Sequence, residues 1–148
     1  MNLKRFFLPL LALLCIPVAA KAGLEKTIED TTQYLIRNWM ADEELSTSYP
    51  PPQVLAVPEG TTVYGGCGEY MVGDDVGGSS YCPPTHTIFL VPEELKLFNK
   101  TFGPSSVAYV IAHEFSHALQ QALEIDLENP NHELQADCIA GALIAIIT

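Results

Sequence analysis

Leu24, Ile28, Thr31, Leu35 and Trp39 fall at helical spacing and predict an amphipathic helix over residues 24–45. Residues 46–52 end in three consecutive prolines and cannot continue a helix, so they read as an extended connection. Residues 54–57 and 61–64 are short, β-branched strand candidates, followed by a glycine-rich loop up to Cys82-Pro83-Pro84. The clearest strand is Thr87-Ile88-Phe89-Leu90-Val91, stopped by Pro92, and it offers an edge with which an extended peptide could pair. Pro92 suits the start of a helix through Phe98, and Gly103-Pro104 closes that unit. Ser105 or Ser106 can cap a helix over residues 107–123, residues 124–129 form an acidic loop, and Asn131 can cap a last helix running to the terminus. Helices of this length around a few short strands predict an α+β domain; the order of elements is predicted, their strand pairing is not.

The first 22 residues change the picture of what folds. Lys4 and Arg5, the apolar run from Phe6 to Ile16, and the small-x-small site Ala20-Lys21-Ala22 read as a cleaved export signal. The run is too short to span a membrane comfortably. Cys15 raises a lipid-anchored form, but Leu13 and Leu14 are bulky where such a signal has a small residue. Residues 23–148 are then a single domain, exported to the periplasm or secreted, with no stable membrane span.

The full chain has seven basic and eighteen acidic residues, a net charge of −11. Removing Lys4, Arg5 and Lys21 leaves four basic residues against eighteen acidic, a net charge of −14. Such a chain repels phosphate backbones, which argues against nucleic-acid binding. In an oxidising compartment Cys67 and Cys82, which flank the glycine-rich loop, are expected to form a disulfide worth about 3 kcal/mol in the chain-entropy model. A zinc-ligand role for the two thiols lacks a second Cys-x-x-Cys pair. Cys138, in an apolar helical stretch, is expected to be a buried free thiol.

The candidate chemistry lies in two motifs, His113-Glu114-Phe115-Ser116-His117 and Glu133-Leu134-Gln135-Ala136-Asp137. At i and i+4 on a helix, His113 and His117 project from one face and can grip one metal ion. Two histidines and one carboxylate make a zinc site with a position left open for water. Glu114, about 100° round the helix, borders the ion without binding it and is placed to act as general base. Glu133 is the leading third ligand, with Asp137 bonded to the far nitrogen of a histidine ligand, most plausibly His113; were Asp137 the ligand, the two roles would swap. Carboxylates so close on an apolar helix need a partner.

Other residues read more blandly. His132 is expected as an exposed helix-start histidine, although it could donate to a tetrahedral intermediate, and His86 as a surface residue. Tyr64, Tyr70 and Tyr81 flank the cysteine loop, where one could be an oxyanion donor, but packing is the default.

The run from Tyr109 through His113-Glu114-Phe115-Ser116-His117 to Gln120 resembles the neutral zinc metallopeptidase family of bacteria. Glu133-Leu134-Gln135-Ala136-Asp137-Cys138-Ile139-Ala140-Gly141 is similar to that family's second signature. Cys67-Gly68, and Tyr81-Cys82-Pro83 leading into Ile88-Phe89-Leu90, resemble its upstream segment. The resemblance implies a gluzincin-type, zincin-like fold with an active-site helix, a short sheet and a C-terminal helix carrying the third ligand. By motif position it implies His113, His117 and Glu133 as zinc ligands and Glu114 as the base. Ser116 stands where the family usually has glycine, and the chain stops soon after the second signature. The expected function is an exported zinc metallopeptidase that cleaves a peptide or protein substrate through a zinc-activated water. The alternative is a zinc-stabilised interaction module with weak or no turnover, its partner held at the apolar C-terminal helix.

Overall fold

Asp42 divides the first predicted helix in two. Helix α1 (Val18–Ala41) ends just before it, and α2 (Glu43–Ser48) begins just after, with the Asp42 carboxylate accepting the Leu45 N–H at 2.9 Å. That side-chain cap restarts the chain in a new direction, a preference that competes with helix continuation at aspartate. The computed structural model describes residues 18–63, 71–72 and 78–145. Most of the expected export signal therefore lies outside the described residues, as do Cys67, Tyr64 and Tyr70. No described helix is long and apolar enough to cross a membrane.

The strands follow as β1 (Gln53–Ala56), β2 (Thr61–Thr62), β3 (Met71–Val72), β4 (Ser80–Cys82) and, after a short 3-10 turn, β5 (Thr87–Leu90). β2 and β3 pair antiparallel by themselves, while β1, β5 and β4 form one sheet in that order. β1 runs parallel to β5 and β4 antiparallel to it, with Tyr81 opposite Ile88. The clearest strand of the sequence is thus central rather than an edge. All four of its residues are buried, which explains its unbroken apolar run. Alternation still sorts its side chains: Ile88 and Leu90 join the main core, while Phe89 and Val91 pack with Val57 and Cys82 on the other face. The sheet edge next to the candidate site is β4.

Helix α3 (Pro92–Phe102) runs one turn beyond its expected end, and Gly103 joins it to α4 (Pro104–Ala122). Gly103 has φ 87°, a left-handed conformation that favours glycine. Pro104, not a serine, opens α4, where its missing N–H leaves no bond unmade. The Ser106 hydroxyl instead donates back to Gly103 O at 2.7 Å. Likewise Pro130 precedes α5 (Asn131–Ile144), and Asn131 is its first residue rather than a side-chain cap.

Helix α4 lies at the centre of the fold, burying Val107, Ile111, Ala112, Phe115 and Ala118. Leu24, Leu35 and Trp39 of α1, Leu95 of α3, Ile88 and Leu90 of β5, and Ala140 of α5 complete the same core. Together these elements make the expected α+β fold. On α5, Ala136 and Ala140 face α4, which turns Cys138 outward, since two residues correspond to about 200° of helical rotation. Cys138 is therefore a free thiol as expected, but exposed rather than buried.

Candidate metal centre

His113 and His117, one turn apart on α4, bring their Nε2 atoms to 3.0 Å. From α5, Glu133 Oε2 closes a triangle at 3.3 Å from His113 Nε2 and 3.4 Å from His117 Nε2. His113, His117 and Glu133 are so positioned that they can hold a metal ion. Both imidazoles lie in the seam between the helices and are mostly buried, while Glu133 is about half exposed at its mouth.

The far ring nitrogens are engaged on opposite sides. His113 Nδ1 lies 2.9 Å from Asp137 Oδ1, at bonding distance but without an aligned hydrogen bond. The same Asp137 oxygen accepts the Tyr109 hydroxyl at 2.6 Å, and this bond pushes the Tyr109 phenol up to about 12. Asp137 thus sits where the far-nitrogen partner of a ligand was expected, on His113. His117 Nδ1 lies 2.8 Å from Gln120 Oε1. Gln120 is 1% exposed, and its Nε2 donates to His132 O at 2.8 Å and to Gln135 Oε1 at 3.0 Å. A backbone carbonyl can only accept, so the bond to His132 O fixes which end of the amide is which. His117 Nδ1 must then carry the proton, and its Nε2 presents a lone pair. His113 Nδ1 faces the Asp137 carboxylate, and its Nε2 lies within hydrogen-bond distance of His117 Nε2. Two imidazole nitrogens and a carboxylate oxygen therefore converge on one point, the donor set of a metal site.

Glu114 is 7% exposed yet lines the same cleft as both histidines and Glu133. Without an ion, burial pushes its carboxyl up to about 8; the Tyr81 N–H that it accepts pulls the other way, and Glu94 and Glu133 add to the rise. That N–H belongs to β4, whose entrance is pinned by α3. Glu94 accepts the Ser79 N–H at 2.6 Å, and the Ser79 hydroxyl accepts the Val91 N–H at 3.0 Å. Gly78 passes so near the Glu94 carboxylate that a Cβ there would collide with it. Burial also lowers His117, which favours the neutral form that a metal ligand needs.

The cleft has a volume of about 470 Å³ and is bordered by Tyr81, Pro83, Ile125 and His132 besides the central four residues. His132 is half-buried rather than an exposed helix start, its ring stacked on that of His117 with centroids 4.8 Å apart. His86 is not a simple surface residue either. It sits among Trp39, Tyr49 and Tyr81, with Nε2 donating to Pro50 O at 2.8 Å and Nδ1 accepting the Tyr81 hydroxyl at 2.7 Å. The half-buried Tyr81 phenol is raised, chiefly by desolvation and further by the nearby Tyr49. Ser116 is buried with its hydroxyl bonded to Ala112 O at 2.7 Å, which accommodates it in a tight interior position. Cys82 is buried and is not a free thiol; its expected partner Cys67 lies outside the described residues.

Among known proteins, the chain is similar to uncharacterized protein YpfJ of Escherichia coli K12, and to its counterpart in Escherichia coli O6:H1, at 28% identity over 118 aligned residues. The alignment takes in 67% of this chain and 39% of each relative, so the chain spans well under half the length of the proteins it matches. No family model matches. No solved structure matches either.

Proposed function

We propose that this chain is an exported zinc metallopeptidase with a zincin-like fold, in which His113, His117 and Glu133 hold the ion. The convergence of two imidazole nitrogens and a carboxylate oxygen carries the reading. Zinc bonds of about 2.0–2.1 Å in tetrahedral geometry set ligand atoms about 3.3 Å apart. The separations of 3.0, 3.3 and 3.4 Å match that spacing. Two imidazoles and a carboxylate also suit zinc better than calcium or magnesium, which prefer oxygen ligands throughout.

When bound, zinc would polarise a scissile carbonyl and make water acidic enough to react near neutrality. Glu114 would take the proton of the attacking water and deliver it to the leaving amine. The Tyr81 N–H orients the Glu114 carboxyl, and its burial keeps bulk water from competing for it. Asp137 and Gln120 hold the two imidazoles with Nε2 free to bind. β4 offers the backbone edge along which an extended peptide could lie. A disulfide between Cys67 and Cys82 and an extracytoplasmic location belong to the same proposal.

The test pairs zinc loading with hydrolysis of an unstructured protein such as casein by the mature chain. Activity that requires zinc and disappears in Glu114→Gln supports the proposal, and failure to bind zinc overturns it. One observation favours a zinc-stabilised interaction module instead: on the outer side of α5, Leu134 is 59% exposed and continues into exposed Cys138, Gly141 and Ala142. Zinc binding without cleavage of any peptide, with a partner bound through Leu134, would support that reading.

A further inference from the structure

Gln120 stands on α4 three residues beyond His117, fully buried in the seam with α5. Its amide makes three bonds: the carbonyl accepts from His117 Nδ1, and the two N–H groups reach His132 O and Gln135 Oε1. The last two partners flank Glu133 on either side. One side chain thus fixes the proton position on the second histidine and ties down the first turn of the helix that carries the facing carboxylate.

We infer that Gln120 is the positioning residue of the metal centre, setting both the His117 tautomer and the placement of Glu133. The inference rests on the metal-site reading above. His117 could bond through Nδ1 or Nε2 to a proton, and only the Nδ1–H form leaves Nε2 to an ion. Solvent cannot impose that choice in a seam this closed. The opposite ring, on His113, has Nδ1 2.9 Å from the Asp137 carboxylate that accepts the Tyr109 hydroxyl. The two acceptors differ in one respect. Asp137 stands on α5, so it follows any movement of that helix. Gln120 stands on α4 and grips α5, so it resists such movement.

Nitrogen-15 spectra of the histidine rings in the full, metal-free chain near pH 8 test this, followed by zinc affinity from chelator competition. In the parent chain His117 should show the Nδ1–H form. Gln120→Met keeps the volume but removes all three bonds; it should release His117 into a mixture of tautomers and weaken zinc binding about 10- to 100-fold. Gln120→Glu keeps the acceptor and loses both donors, so it should retain the Nδ1–H form yet bind zinc more weakly than the parent. A folded Gln120→Met with the parent's tautomer, or with zinc affinity within about twofold of it, overturns the inference. Should Gln120→Met not fold, an Nε2–H tautomer in Gln120→Glu overturns it, and an Nδ1–H tautomer there supports it. A parent chain that binds no zinc defeats the metal-site reading instead, and the metal-free spectra still decide what Gln120 does.

Discussion

His113 Nε2 and His117 Nε2 stand 3.0 Å apart, within hydrogen-bond distance of each other. Their far nitrogens face Asp137 at 2.9 Å and Gln120 at 2.8 Å. Glu133 brings negative charge to the same point. A cation bound by all three stabilises the folded state, so metal removal should cost stability as well as activity. Thermal melts with and without a strong chelator should differ by several degrees, as expected for a ligand bound only by the folded state. Identical melts would count against a resident ion.

Glu114→Gln keeps the shape of the side chain and removes its basicity. Zinc affinity should stay close to the parent's because Glu114 is not among the ligating atoms. Peptide hydrolysis should fall by about 10²- to 10⁴-fold, the usual contribution of a positioned general base. An active Glu114→Gln would assign the proton transfer to another group.

Asp137→Asn should weaken zinc binding about 10- to 100-fold, because the carboxylate that faces His113 Nδ1 is replaced by a neutral amide. Tyr109→Phe should have a smaller effect, since it removes only the hydroxyl that holds Asp137 in place. Chelator competition on the two variants checks the order, and a larger loss in Tyr109→Phe would reverse the assigned roles.

The metal-free chain should lose stability as pH rises. In the folded state Glu114 keeps its proton up to about 8, whereas the unfolded chain loses it near 4.5. Its stabilising contribution is therefore complete below the ordinary carboxyl range and disappears as pH passes through about 8. His117 acts in the opposite sense, but only below its ordinary value of 6.5, because its folded form gives up the proton more readily. Between about pH 7 and pH 8 the Glu114 contribution stands alone, and above that it is already lost. Melting temperatures of the metal-free parent should fall across that window, and those of Glu114→Gln should fall less. Parallel curves would contradict the assignment.

The exported chain should contain one reactive thiol. Cys138 is exposed and free, whereas Cys82 is not. Thiol counting in denaturant, without reductant, should find Cys138 alone in the mature protein, and three thiols after reduction. Three thiols before reduction would exclude the bridge to Cys67.

Much of the site was legible in the chain because helical periodicity is local. A step of four residues from His113 to His117, and of four from Glu133 to Asp137, dictates common faces wherever the helices point. What the periodicity does not contain is the second helix's approach, so Asp137 and Glu133 could exchange roles until their distances to His113 were known. Gln120 leaves little mark in the chain for the same reason: two of its three partners lie on α5, and along α4 it is one more polar residue on the face that already bears His113, Ser116 and His117. β4 is three residues, Ser-Tyr-Cys, with no pattern of its own; it is a strand because β5 lies beside it. β5 is legible as a strand, but burial on both sides makes it the central strand and not the edge that the sequence suggests. Cys138 was misjudged because apolar neighbours in sequence occupy all sides of a helix, and only the side that bears Ala136 and Ala140 meets α4.

Metal analysis of the purified mature chain after equilibration with zinc and removal of the excess tests the central claim most directly. The expected result is close to one zinc per chain, reduced to a trace when His113 and His117 are both replaced by alanine. A parent chain that retains no more zinc than this double variant would contradict the account.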